Sequence, residues 1–257
     1  MCGHAVFPSR GSARRIETLT TVDPIPPLFG PDFLEWLRLT TEREWDAVPE
    51  KTLADFERAG VGGSAWRRGT RWTGGLSEGE IDEAERRYGL DFPPDYRLFL
   101  RVLHATTPRQ IGARFVEGRG MRAVERPAFF DWRRDDEDIR EALAWPLDGL
   151  LFDIENNALW LPSWGPRPDS VPERRGHVEA LVANAPKLVP VVGHRYIVPV
   201  EPHVVLSVYQ SDIIVYGNDL RAFLLAELGP ELGLPRDDEM VASVDASAVP
   251  FWGDFIA

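Results

Sequence analysis

Residues 76–100 read LSEGEIDEAERRYGLDFPPDYRLFL, and this stretch predicts two short helices joined by a tight corner. Ser77 and Glu80 have the spacing of a capping box, in which each side chain accepts a hydrogen bond from the backbone N–H of the other residue, so a helix should begin there. Gly89 suits the left-handed position that ends a helix. The prolines at 93 and 94 fit the first turn of a second helix, where no backbone hydrogen bond is lost.

The second of these helices should bury one face. Tyr96, Phe99, Leu100 and Leu103 recur at intervals of three and four residues, which places them on one side of an α-helix. Later in the chain, short apolar segments are separated by turn residues and predict strands. These segments are Leu150–Ile154, Ala158–Leu161, Leu188–Val192, Arg195–Val200, Val204–Tyr209 and Asp212–Tyr216.

The order of the segments predicts the fold class. Helices come first, consecutive strands follow and a final helix begins near Leu220, which indicates an α+β fold with a mostly antiparallel sheet and helices packed to one side. Between the two groups, Gly112–Arg122 is rich in glycine and arginine and is predicted to be a loop. Leu150–Ile154 and Ala158–Leu161 are expected to pair as a hairpin, and Pro172–Ala185 is expected to be a helix.

Composition divides the chain into four regions. Residues 1–27 predict a flexible leader, because Gly, Ser, Arg and Thr are followed there by three prolines. Residues 28–75 are an extension with helical spacing and several tryptophans that should anchor it to the domain. The main domain should span residues 76–229. Residues 230–257 are a tail, first acidic and then apolar, whose apolar end should fold back.

Charge and cysteine content restrict the partners and the compartment. The chain has 41 Asp and Glu against 29 Lys and Arg, a formal net charge of −12, and its arginines are spread along the sequence. Binding to nucleic acid, which needs clustered cations, is therefore disfavoured, whereas an acidic protein attracts a basic partner. A single cysteine, Cys2, allows no internal disulfide, and we find no signal peptide or membrane-spanning segment. We therefore expect a cytoplasmic protein that does not bind membranes.

Residues 76–100 resemble the opening of the SUKH superfamily, which includes the Smi/Knr cell-wall regulators of fungi and many bacterial immunity proteins. Together with the later strands, the resemblance covers about residues 76–229. Two features depart from the family pattern: Leu103-His104-Ala105 stands where Asn-Gly is common, and the minimal domain has no counterpart of the extension before residue 76. The positions that define the fold are Ser77, Glu80, Glu85, Gly89, Pro93, Pro94, Tyr96, Phe99 and Leu100.

The resemblance implies a non-enzymatic protein-binding domain. Bacterial members of the family often neutralise a toxin, commonly a nuclease, by covering it. We therefore expect a protein partner, for which a basic toxin domain is one candidate. The alternative that the resemblance leaves open is a regulatory scaffold of the Smi/Knr kind, which binds several partners without inhibiting a toxin.

Four residues are candidates for the binding surface. Trp164 lies beside a glycine and a proline in a predicted loop and is a candidate to line an exposed groove, with burial in the core as the alternative. Trp160 lies within a predicted strand and is expected in the core. Tyr209 and Asp212 flank the last predicted hairpin turn, and His194 lies in another predicted turn. Loops and turns of this kind often carry binding residues.

The residues that could support catalysis match no known pattern. His194, His203 and Asp212 could converge as metal ligands or as an acid–base set, which would make the chain an unrecognised hydrolase, but their spacing fits no metal signature. Cys2 could act as an N-terminal nucleophile only if Met1 were removed and a strand began at once, and the next residues lead instead into the leader. We therefore expect no catalytic residue, no metal ligand and no cofactor.

Overall fold

The computed structural model describes residues 26–60, 63–232 and 244–256. Most of the predicted leader, including Cys2, and residues 233–243 of the predicted tail lie outside the described residues. The helices are α1 (Pro31–Ala47), α2 (Leu53–Arg58), α3 (Glu78–Tyr88), α4 (Pro94–Val102), α5 (Asp136–Asn156), α6 (Val171–Ala183) and α7 (Leu220–Leu232).

The strands form three sheets, in which all neighbouring strands are antiparallel. Their orders are β1-β4-β5, β2-β3 and β6-β7-β8-β9. The predicted α+β class with antiparallel strands is therefore confirmed. The strands are β1 (Ser64–Ala65), β2 (Arg71–Trp72), β3 (Thr106–Thr107), β4 (Gln110–Val116), β5 (Gly120–Arg126), β6 (Val189–Val192), β7 (Arg195–Ile197), β8 (Val205–Tyr209) and β9 (Asp212–Gly217).

The predicted helical corner between α3 and α4 is confirmed. Ser77 Oγ accepts a hydrogen bond from the N–H of Glu80 (3.4 Å), and the Glu80 carboxylate accepts one from the N–H of Ser77 (2.8 Å). Gly89 ends α3 with φ 61°, in the left-handed region that a glycine adopts without steric cost. The two prolines occupy the N-cap and the first position of α4, and Phe99 and Leu100 on that helix are fully buried.

Glu85 and Tyr96 connect this corner to the rest of the domain. One carboxylate oxygen of Glu85 accepts a hydrogen bond from the N–H of Phe92 (2.7 Å), and the other accepts one from the guanidinium of Arg97 (2.6 Å). The buried Tyr96 hydroxyl donates to the carbonyl oxygen of Pro190 in β6 (3.4 Å). The second helix is therefore joined to the four-stranded sheet, as its apolar spacing predicted.

The four-stranded sheet lies between two apolar cores. Ile197 and Val205 contribute to the first core, together with side chains of α1, α4 and α7. Leu206 and Val208 contribute to the second core, together with side chains of α5 and α6 and with the chain end at 249–255. Helices therefore cover both faces of this sheet, because α5 supplies a second helical layer. We expected helices on one side only.

The predicted hairpin of Leu150–Ile154 and Ala158–Leu161 is wrong. The first segment belongs to α5, and residues 158–161 form no strand. A short apolar run does not distinguish a buried strand from part of a buried helix, and a proline inside a helix, such as Pro146 here, ordinarily kinks or interrupts it. The helix nevertheless continues, because its buried positions recur every three or four residues: Ile139, Ala142, Pro146, Leu150 and Ile154.

The predicted loop at Gly112–Arg122 is also wrong, because these residues form most of the β4–β5 hairpin. Gly118 and Gly120 have φ of 71° and 70°, so these glycines belong to the turn. The outer half of the hairpin is largely exposed to solvent, and an exposed pair of strands carries no apolar alternation from which it could be predicted.

The extension at residues 28–75 packs into the first core. Its tryptophans pack against each other and against the main domain: Trp45 lies tilted against Trp66 (ring centroids 4.5 Å apart), and Trp72 meets Phe99 edge to face (5.8 Å). The apolar end of the tail folds back as expected, since Trp252 is buried and its indole N–H donates to the carbonyl oxygen of Pro186 (2.8 Å).

Candidate functional site

Three aromatic side chains meet where the turns β6–β7 and β8–β9 reach the same end of the four-stranded sheet. The ring of Tyr209 lies 5.9 Å from that of Trp145 and 6.3 Å from that of His194. Tyr209 is 56% exposed and Trp145 38%, so the two neighbouring rings present aromatic surface to solvent. We call these three residues, together with the neighbouring Arg126, the aromatic patch.

Helix α5 holds the aromatic patch in place. Trp145, Gly149 and Asp153 are four residues apart and therefore lie on one face of the helix. The Trp145 indole N–H donates to the carbonyl oxygen of Val208 at the end of β8 (3.0 Å). The Asp153 carboxylate accepts hydrogen bonds from the backbone N–H (2.9 Å) and the hydroxyl (2.5 Å) of Ser211.

Between these two contacts, helix and turn approach so closely that only a glycine fits. A Cβ at Gly149 would lie 2.8 Å from the Cα of Gln210, the first residue of the β8–β9 turn. Gln210 itself has φ 58°. The β6–β7 turn is attached to β8, because the N–H of Val208 donates to the carbonyl oxygen of His194 (2.9 Å). The backbone beneath the aromatic patch is thus fixed from several sides.

His194 is neutral at pH 7. Burial lowers the pKa of its imidazole to about 4, and the positive charges of Arg195 and Arg126 act in the same direction. A neutral imidazole offers one hydrogen-bond donor and one acceptor. The aromatic patch therefore carries one permanent charge, that of Arg126, beside groups that are polar but uncharged.

The structure brings together three of the four predicted surface residues. Tyr209 and the exposed Asp212 are a cross-strand pair at the ends of β8 and β9, and His194 lies in the adjacent turn. The prediction for Trp164 is wrong, because it is only 6% exposed and packs against Phe255 at the chain end. Trp160, which we expected in the core, is the more exposed of the two tryptophans.

Sequence reasoning missed Trp145 and Arg126. Trp145 could have been found from the four-residue spacing that it shares with Gly149 and Asp153. The wrong hairpin prediction divided this segment, so the helical spacing was not recognised. Arg126 carried no comparable signal, because its strand β5 begins within the predicted loop at Gly112–Arg122 and was not predicted as a strand.

The convergence of His194 and His203 that the alternative of a hydrolase would require is not found. His194 directly precedes β7, and His203 lies in the segment that follows it, so the two imidazoles are at opposite ends of the strand. His203 is instead close to Glu201 (3.4 Å). Among the described residues, no group of three His, Cys, Asp or Glu side chains is arranged to hold a metal ion.

Comparison with known proteins gives no match: no family model, no curated protein and no solved structure is significantly similar to this chain. Of the helices in the described part of the chain, none offers the length of apolar sequence that a bilayer crossing requires.

Proposed function

We propose that this chain is a non-enzymatic binding protein of the SUKH-like kind, which covers a toxin domain with its aromatic patch and thereby neutralises it. The observation that carries the proposal is the exposed pair of Trp145 and Tyr209 on a rigid backbone. Side chains of these two types dominate the binding energy of protein interfaces. They supply a large contact area and have few rotatable bonds to immobilise.

The rigidity of the backbone also supports a role in binding. Because α5 and both turns hold the aromatic patch through hydrogen bonds and a close glycine contact, little ordering would be required when a partner docks. A preorganised surface loses less entropy on association than a flexible one.

The charge of the chain supports a basic partner. A net charge of −12 produces a negative field that attracts a positively charged protein over a distance and raises the rate of encounter. A nuclease domain, whose substrate is a polyanion, is a toxin of this kind.

The proposal can be tested by co-expression with toxins encoded next to the gene of this chain. We expect the wild type to restore growth of toxin-producing cells, and the double variant Trp145→Ala, Tyr209→Ala to lose at least about 100-fold in affinity for the toxin, as for other aromatic hot spots. Phe115→Ala is the matched control, because Phe115 is a 69% exposed aromatic residue at the opposite end of the β4–β5 hairpin from Arg126, and it should protect the cells like the wild type.

Two outcomes would contradict the proposal. If the double variant folded normally and still protected the cells, the aromatic patch would not be the binding surface. If the wild type bound no neighbouring toxin, neutralisation would be excluded for that set of toxins, and binding to several unrelated proteins would favour the regulatory scaffold instead.

A further inference from the structure

We propose that Arg126 in the aromatic patch binds a carboxylate of the protein partner, while Trp145 and Tyr209 pack against the apolar residues beside that carboxylate. This inference rests on the proposed function and specifies the chemistry that the partner must present. It depends on the placement and the charge of one side chain.

Arg126 lies flat across the neighbouring strand. A Cβ at Gly112 in β4 would lie 2.2 Å from the Cδ of Arg126, so the aliphatic stem occupies the space that the glycine leaves. The guanidinium group reaches the β6–β7 turn, where its Nη2 is 3.4 Å from the position of a Cβ at Gly193. Arg126 is thereby directed along the protein surface to His194 and is held there by packing.

The guanidinium group has no counter-charge within the described part of the chain. No ion pair or hydrogen bond joins the side chain of Arg126 to a described residue, although other arginines nearby are paired. Arg109 pairs with Asp135, and Arg114 pairs with Glu141. Two other half-buried arginines, Arg174 and Arg221, also lack a carboxylate, but their guanidinium groups donate to backbone carbonyl oxygens. The guanidinium group of Arg126 has neither kind of partner among the described residues.

A carboxylate is the group that fits this site best. Guanidinium binds carboxylate through two parallel N–H···O bonds, and the neutral imidazole of His194 can donate a further hydrogen bond when its proton faces the same oxygen. The long-range attraction of a basic partner is compatible with this contact, because net charge governs the encounter and individual pairs determine the fit.

Random twelve-residue peptides displayed on phage provide a test that needs no known partner. The full-length chain is immobilised, and peptides are kept if they bind the wild type but not the Trp145→Ala, Tyr209→Ala variant. Synthetic copies of the enriched peptides are then measured by fluorescence anisotropy. We expect an Asp or Glu next to an apolar residue in the enriched sequences.

Three single variants isolate the role of Arg126. Arg126→Met should weaken peptide binding about 10-fold or more, as for other close charge pairs, and changing the peptide acid to its amide should cause no additional loss in that variant. Gly112→Ala should weaken binding as well, since it displaces the arginine without removing its charge. Arg122→Met, at an exposed position of the same strand, is the control and should leave the affinity within about twofold.

Each result has a defined meaning. Enriched peptides that need both Arg126 and their own carboxylate would support the inference. Peptides that need Trp145 and Tyr209 but bind Arg126→Met equally well would overturn the inference and leave the proposed surface intact. If no peptide depended on Trp145 and Tyr209, the aromatic patch would not be a docking surface, and the inference and the proposed function would both fail.

Discussion

His104 occupies a backbone position that few residue types tolerate. It follows the end of α4 with φ 68°, in the left-handed region. Glycine adopts this region without steric cost, and asparagine visits it more readily than most other residues. Histidine is among the other residues found there more often than average. The left-handed position after α4 is therefore compatible with a histidine.

The side chain of His104 is buried and hydrogen-bonded as a neutral imidazole. Its Nε2 accepts a hydrogen bond from the N–H of Trp132 (3.0 Å), so the proton is on Nδ1, which faces Thr73 Oγ1 (3.4 Å). Burial lowers the pKa of His104 to about 4; Arg133 acts in the same direction, and the carboxylate of Asp131 opposes it. Protonation would therefore remove an acceptor and place a charge in the core.

This pKa predicts a loss of stability in mild acid. The unfolded chain binds a proton at its ordinary pKa near 6.5 and the folded chain only near 4, so the contribution of His104 is complete above pH 6.5 and disappears as the pH falls to about 4. A shift of this size corresponds to about 3 kcal/mol. His104→Asn should keep the backbone conformation and flatten the dependence, as measured by urea unfolding at several pH values between 4 and 7.

His194 provides the internal comparison. Its pKa is lowered to about 4 as well, so some dependence on pH in the same range should persist in the His104→Asn variant. If the free energy of unfolding of that variant fell as steeply below pH 6.5 as that of the wild type, His104 would not be the group responsible.

At the scale of elements, α5 determines the shape of the candidate site. One face of this helix supplies Trp145, the glycine contact at Gly149 and the acceptor Asp153, and all three engage the end of the β8–β9 hairpin. These contacts fix the position at which the hairpin presents Tyr209. A change on the helix should therefore alter binding without touching an exposed residue.

Substitution of two helical glycines tests this dependence. Gly149→Ala should destabilise the fold by about 1–3 kcal/mol and weaken partner binding, because the new Cβ would meet backbone atoms of Gln210. Gly176→Ala in α6 is the matched control: a Cβ there meets nothing within 4 Å, and alanine should stabilise the helix by about 0.5–1 kcal/mol. Urea unfolding and toxin affinity give the two measurements. If the two variants had the same free energy of unfolding and the same affinity for the toxin, α5 would not control the position of the hairpin.

At the scale of the whole molecule, the extension before residue 76 is part of the structural core. Leu37 of α1 is fully buried in the same apolar cluster as Phe99 and Phe223, which belong to α4 and α7. The main domain predicted at residues 76–229 thus shares its first core with the extension. We expect the full chain to unfold in one transition, because the extension and the domain bury each other's apolar surface.

Two leucines of α1 test the shared core. Leu37→Ala should reduce the free energy of unfolding by about 2–5 kcal/mol, because it leaves a cavity in the core. Leu39→Ala, on the same helix but 41% exposed, should change it by less than about 1 kcal/mol. Tryptophan fluorescence and circular dichroism should report the same midpoint for Leu37→Ala. A separate early transition in that variant would show that the extension folds independently of the domain.

The sequence by itself determined the features that depend on a few neighbouring residues. The capping box, the left-handed Gly89 and the apolar face of α4 are local, so their hydrogen bonds and spacing could be predicted directly. The antiparallel strands from residue 188 onward could be predicted for the same reason, because short apolar segments separated by turn residues define them.

Only the tertiary structure decided which of these elements meet. Trp145 and Val208 are 63 residues apart in the chain, and Arg126 reaches the turn at Gly193 from a different sheet. Helix α5 could not be told from a hairpin by a short apolar run, and Trp164 is buried because the end of the chain covers it. Contacts between distant segments depend on how whole faces pack, and local pattern carries no information about that packing.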